Sequence, residues 1–204
     1  MLGPALILLA VAAYGALHSL LASQAAKEGV EHVLGRITSR YYRLAYNLLG
    51  LATLLPLLAL PILLPDHGLY AIPFPWVLLT LSGQLAAVGM VLLAIGQTDP
   101  WGFLGVRQLL EGENRSPGQL VETGLYRWVR HPVYSAGLLF IWLLPRMSAN
   151  LLALNVGLTA YLWLGTLFEE RKLVHEFGQA YVAYRHRVPR LIPRPRRSRQ
   201  ESPR

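Results

Sequence analysis

An all-α, polytopic membrane helical bundle is the fold that this 204-residue sequence predicts. Composition points there first: 53% of residues are hydrophobic and 15% charged, whereas soluble domains carry about a quarter charged residues. Mean hydropathy is +0.37. Second, the chain holds several uncharged runs of the roughly 20 residues that a helix needs to cross about 30 Å of hydrocarbon. Third, 18 of the 19 Lys and Arg residues fall in segments that alternating spans place on one side, the bias that marks cytoplasmic flanks.

The first span is Leu2–Leu21. Small residues follow it, as at a signal-peptide cleavage site, but no Lys or Arg precedes Lys27, so the basic n-region is missing and the span is expected to be retained. The second, Leu44–Leu64, contains Pro56 and Pro61, each of which removes a backbone donor and predicts a kink. The third is Phe74–Ile95. A fourth apolar region, Val133–Phe168, breaks at Pro145-Arg146-Met147-Ser148 and reads as a helical hairpin, giving about five spans. Its first arm has 12 residues, a rise of roughly 18 Å, too short to cross alone. Charge places the N-terminus outside and the C-terminus in the cytoplasm. Residues 1–192 read as one domain, and Pro193–Arg204 as a disordered basic tail lying near anionic headgroups.

Several chemistries are excluded. Without cysteine there are no disulfides, thiolate metal sites or cysteine nucleophiles. The dinucleotide, P-loop, serine-hydrolase and zinc-protease motifs are missing, and the six histidines lack metal-ligand spacing, so no metal is expected. The net charge of +8 would suit nucleic acid on a polar surface, but apolar runs separate the basic residues and the membrane is the expected partner.

The hairpin starts and ends on one face of the membrane, so it should bring Arg130-His131-Pro132-x-Tyr134 opposite Glu169-Glu170. Ionisable groups at membrane depth are functional candidates. Neighbouring helix positions differ by about 100°, so only one of the two glutamates should face a cavity. The plainer alternative is an ion pair of Glu170 with Arg171, Lys172 or Arg130. His131, held extended by Pro132, is either a functional or a satisfied structural histidine. His18, beside Ser19, is placed to line a cavity.

The stretch Gly124-Leu-Tyr126-Arg-Trp-Val-Arg130-His131-Pro132-Val-Tyr134, followed by Glu169-Glu170-Arg-Lys-Leu173 and Phe177-Gly178-x-x-Tyr181-x-x-Tyr184, resembles the isoprenylcysteine carboxyl methyltransferase family. Leu17-His18-Ser19-Leu20-Leu21-Ala22-Ser23 and Phe103-Leu-Gly-Val-Arg107-Gln108 are similar to its methanethiol methyltransferase and NnrU/nurim branch, although Gln97-Thr98-Asp99 stands where that branch would carry His. The resemblance implies a membrane methyltransferase that binds S-adenosylmethionine in a cytoplasmic pocket within about 118–192. It implies cofactor contacts at Gly124, Tyr126, His131, Pro132, Tyr134, Glu169, Glu170, Tyr181 and Tyr184, with Arg130 and Glu170 as the catalytic pair.

A carboxylate suits the cofactor's ammonium and hydroxyls, and an arginine fork suits a carboxylate of the cofactor or acceptor. The acceptor is expected to be a small thiol or a hydrophobic, lipid-like molecule. His18 is the candidate base for a thiol, and Arg107 and Gln108 the candidates to orient a polar acceptor group, with a packing cap as their alternative. Two other readings stand beside this one: an NADPH-dependent sterol or lipid reductase, and a non-enzymatic, nurim-like membrane protein.

Overall fold

The computed structural model describes residues 2–35, 37–111 and 119–194, except for the side chains of 37–39, 103, 108 and 111. The chain order is α1 (Leu2–Leu21), α2 (Gln24–Leu34), α3 (Ile37–Leu63), β1 (Gly68–Ala71), α4 (Trp76–Gly96), α5 (Pro100–Leu104), α6 (Val106–Glu111), a 3₁₀ turn (Gly124–Arg127), α7 (Pro132–Trp142), β2 (Arg146–Ser148), α8 (Ala149–Phe177) and α9 (Gln179–Arg187). The protein is an all-α membrane bundle. Among the described residues, Leu2–Leu21, Arg40–Leu63, Trp76–Gly96 and Ala149–Phe177 are long and apolar enough to span a bilayer, and the short helix Pro132–Trp142 forms the other hairpin arm.

Apolar side chains such as Ile62, Leu79, Leu92 and Phe168 are exposed along these helices, the surface that hydrocarbon covers. Helix α3 continues through Pro56 and Pro61. The larger departure from the uncharged-run boundaries is at α8, which runs nine residues past Phe168. Glu169 and Glu170 therefore lie on α8 itself, consistent with their reading as neighbours on one helix. The basic tail from residue 195 lies outside the described residues.

Small residues set the packing. Gly3, Ile7, Val11 and Gly15, four apart, are buried along one stripe of α1. A Cβ at Gly3 would stand 2.5 Å from Asn150 Oδ1, one at Gly157 3.1 Å from Val11, and one at Gly15 2.9 Å from the Tyr161 ring. Those contacts pair rising positions on both helices, so α1 and α8 run parallel at close approach, the packing that small residues permit in membranes. Helix α4 packs antiparallel on α7, where Gln84 Nε2 donates to the Phe140 carbonyl at 3.1 Å.

At the end of the bundle remote from the basic segments, β1 pairs antiparallel with β2. Asp66 Oδ1 accepts from the Asn150 amide at 3.1 Å and Ser148 Oγ from the Leu151 amide at 3.2 Å. These contacts satisfy donors exposed at the start of α8. The short strand pair thus ties the α3–α4 connection to the hairpin turn and fixes α8 relative to α3. At the other end lie α2, α5, α6, the 3₁₀ turn, α9 and the starts of α7 and α3.

Candidate active site

Gly124 opens the site. It has φ +58°, the left-handed region, and a Cβ there would lie 2.3 Å from Gln97 Nε2. Glycine is thus required both for the turn and for the approach of Gln97, whose Oε1 accepts from the Leu125 amide at 2.9 Å. Tyr126 follows on this turn. Its carbonyl accepts a 2.6 Å bond from the Tyr184 hydroxyl, while Arg187 pairs with Glu122 at 2.8 Å. Together these contacts hold α9 across the 3₁₀ turn.

The chain after α9 then runs back under the hairpin. The Arg130 and His131 amides donate to the Pro189 and Arg190 carbonyls at 2.9 and 3.2 Å, and Ser135 Oγ donates to the Leu191 carbonyl at 2.7 Å. Pro132 occupies the first turn of α7, where its missing N–H costs nothing, and leaves His131 non-helical at φ −123°.

This backbone arrangement delivers a buried charge cluster. Arg130 Nε and Nη2 donate to Glu170 Oε1 at 2.8 and 2.6 Å, and Arg130 Nη1 donates to the Arg185 and Val188 carbonyls at 2.8 and 2.5 Å. Arg190 adds bonds to both Glu170 oxygens at 3.2 and 3.1 Å. His131 Nε2 lies 3.3 Å from Glu170 Oε1. Of the three partners the sequence suggested for Glu170, the structure places Arg130 against it and adds Arg190. Desolvating two ions is offset here because nearly every lone pair and guanidinium donor finds a partner.

Glu169 is the opposite case. Its side chain is 43% accessible against 4% for Glu170, because the helical turn points it away from the arginines. Its Oε2 is buried with no well-formed hydrogen bond among the described residues. His131 Nδ1 stands 3.5 Å off, and Tyr134 faces the same carboxylate. The His131 and Tyr134 rings stack at 5.5 Å. Tyr181 is buried with its hydroxyl likewise lacking a well-formed hydrogen bond, and its ring meets Tyr184 edge-on at 5.8 Å. Burial, reinforced by the Glu170 charge, pushes the Tyr181 hydroxyl up to about 12, so it stays a neutral donor. Burial also raises Tyr184 and, with Glu169, Tyr126.

The other sequence candidates lie elsewhere. Arg107 pairs with Asp99 at 3.1 Å, and Asp99 in turn caps α5 through the Gly102 amide. The Gln108 side chain lies outside the described residues. His18 bonds the Tyr46 hydroxyl and stacks on Tyr14 at 5.5 Å. Gln97 and Arg190 are site neighbours to which sequence reasoning gave no role, and Tyr46 is the partner of His18 that it missed. The spacing of the C-terminal blocks gave a signal for the segment carrying Arg190, but not for the residue itself.

Fold and site together define a polytopic membrane protein with a buried charge cluster around Glu169 and Glu170 at the basic end of its bundle. The chain belongs to the family described as "Protein of unknown function (DUF1295)", which matches residues 29–187. It is also similar to Methanethiol S-methyltransferase 2 of Bradyrhizobium diazoefficiens, 47% identical over 70 residues, covering 34% of this chain and 27% of that protein. Methanethiol S-methyltransferase of Mycobacterium tuberculosis is 41% identical over 73 residues, 36% of this chain and 30% of the relative. The human Protein-S-isoprenylcysteine O-methyltransferase is 31% identical over 90 residues, 42% and 31% of the two chains. The chain thus spans about a third of the length of the curated relatives it matches. No solved structure matches it.

Proposed function

We propose that this protein transfers a methyl group from S-adenosylmethionine to a small thiol or another hydrophobic acceptor. Its site would lie at the cytoplasmic face of a bacterial inner membrane, with the N-terminus outside. The contrast between Glu169 and Glu170 carries the proposal. A partly accessible carboxylate held only loosely by His131 and Tyr134, together with a buried Tyr181 hydroxyl that makes no well-formed hydrogen bond among the described residues, fits a ligand bearing an ammonium and ribose hydroxyls. The names of the relatives supply the reaction class, and the basic flanks supply the orientation.

When bound, S-adenosylmethionine would supply a methyl carbon activated by its sulfonium. The residues of the chain do the rest. Glu169 accepts from the ligand's N–H or O–H groups, Tyr181 donates its hydroxyl, and Tyr134 and His131 orient the Glu169 carboxylate. Tyr126, Tyr184 and Pro132 wall the pocket, and Gly124 lets the turn reach Gln97. Arg130, Glu170 and Arg190 are positioning residues, because their polar atoms are occupied by one another and by backbone carbonyls. This moves Arg130 and Glu170 out of direct contact with the reacting groups, the role the family resemblance implied for them. The rate then comes from holding the acceptor in line with the methyl and excluding water.

Calorimetric titration of the detergent-purified protein with S-adenosylhomocysteine tests the proposal. Saturable binding near one equivalent is expected. A folded, monodisperse sample that binds none contradicts it.

A further inference from the structure

One polar group at membrane depth plays no part in the cofactor pocket just described. His18 of α1, Tyr46 of α3 and Tyr161 of α8 meet on three helices, with Tyr14 one turn above His18. Ring centroids of His18 lie 4.6 Å from Tyr46, 5.5 Å from Tyr14 and 6.3 Å from Tyr161, and Tyr14 meets Tyr161 edge-on at 5.7 Å. The Tyr46 hydroxyl and His18 Nε2 share a hydrogen bond, in which the hydroxyl donates when the imidazole carries its proton on Nδ1. The other ring nitrogen, Nδ1, is buried and makes no hydrogen bond among the described residues. A Cβ at Gly50 would press within 2.9 Å of the imidazole, so glycine there is what lets the ring lie flat on α3. His18 therefore works only through Nε2, and only by way of Tyr46.

Two observations make this more than packing. A polar pair at such depth is costly to retain, and all four rings keep part of their surface accessible. The Tyr46 and Tyr161 hydroxyls are also within electrostatic range of Tyr134, which faces Glu169. A groove of about 450 Å³ between α1 and α8 is lined by Val11, Gly15, Ser19, Gly157 and Phe168, and Tyr161 forms part of its wall. Its walls are almost wholly apolar. Tyr161, the ring of the cluster that lines this groove, thus stands on a route from the bilayer that avoids the charged surface.

We infer that Tyr46, backed by His18, takes the proton of a thiol acceptor that arrives from the membrane; this rests on the methyl-transfer reading above. The S–H proton passes to Tyr46 Oη as the Tyr46 proton crosses to His18 Nε2. The sulfur lone pair then forms the new S–CH₃ bond, and the methyl–sulfonium bond breaks with its electron pair left on the departing thioether. His18 returns the proton to water through Tyr46 as products leave. The other groups facing the pair are Tyr14 on its own helix, Tyr42 and Arg43 on α3, and Tyr161 on α8.

The test compares wild type with Tyr46→Phe and His18→Gln on two acceptors: a weakly acidic alkanethiol and an aryl thiol already ionised at the assay pH. Both variants should bind S-adenosylhomocysteine like wild type. Both should lose alkanethiol methylation by about 100-fold or more, the range of a positioned base, and keep aryl-thiol methylation within a few-fold. Equal losses on the two thiols, or alkanethiol rates unchanged in both variants, would overturn the inference. If one variant fails to fold, the other decides by the same ratio. Wild-type protein that binds S-adenosylhomocysteine yet methylates neither thiol would overturn the thiol acceptor and this inference with it, leaving the cofactor site standing.

Discussion

Arg130 and Glu170, 40 positions apart in sequence, meet at 2.6 Å with side-chain exposures of 7% and 4%. The contact joins the start of α7 to the inner third of α8. It also recruits the segment after α9, because the same guanidinium bonds the Arg185 and Val188 carbonyls. A single arginine therefore ties together three segments that converge on the pocket.

Removing that arginine leaves Glu170 buried with only Arg190 and His131 nearby. Breaking a buried ion pair from one side costs roughly 3–5 kcal/mol. Arg130→Met should therefore lower the detergent melting temperature clearly, and Arg190→Met, from a side chain that is 28% exposed, should lower it less. Thermal unfolding of both variants checks the order.

Gly124→Ala should be damaging although the change is one methyl group. A left-handed non-glycine residue costs about 1–3 kcal/mol, and the added Cβ would sit 2.3 Å from Gln97 Nε2. Expected outcomes are a lower melting temperature and weaker S-adenosylhomocysteine binding. Pairing the change with Gln97→Ala should recover part of the loss, because the clash but not the strained φ is removed.

Asp66 gives a pH signature at the far end of the molecule. Desolvation works to raise its carboxyl, but the Ser148 hydroxyl and the Asn150 and His67 amides outweigh it and hold the group below its ordinary value. Its contribution is therefore present above about pH 4, the unfolded value, and is lost as pH falls through the lower folded value. A stability-versus-pH series should show a decline on that acidic limb. Asp66→Asn should remove this part of the decline, and an identical acidic limb in the variant would contradict the assignment.

The membrane-crossing pattern was legible because hydrocarbon tolerates so few charges. Leu2–Leu21 has the same bounds in sequence and structure, and the hairpin brings Arg130–Tyr134 to Glu169–Glu170 as its topology required. How far α8 continues past the two glutamates was not legible, since Glu-Glu-Arg-Lys ends an apolar run without ending a helix. The β1–β2 staple, four residues against three, is too short to show strand alternation. Tyr46 as the partner of His18 depends on the register of α1 against α3, for which neither sequence carries a marker. The division of labour between the two glutamates was hidden for a similar reason. The 100° step says they diverge, but the positions of Arg130 and of Arg190, twenty residues on, decide which one is enclosed.

The most direct measurement is S-adenosylhomocysteine titration of Glu169→Gln and Glu170→Gln side by side, each with its melting curve. If Glu169 is the open ligand contact and Glu170 the enclosed anchor, Glu169→Gln should keep a near-native melting temperature and lose binding by at least about tenfold, the worth of a charge-assisted hydrogen bond of roughly 1.5–3 kcal/mol. Glu170→Gln should first lose stability. Native affinity in Glu169→Gln, with binding abolished in a Glu170→Gln protein of unchanged stability, would contradict that assignment.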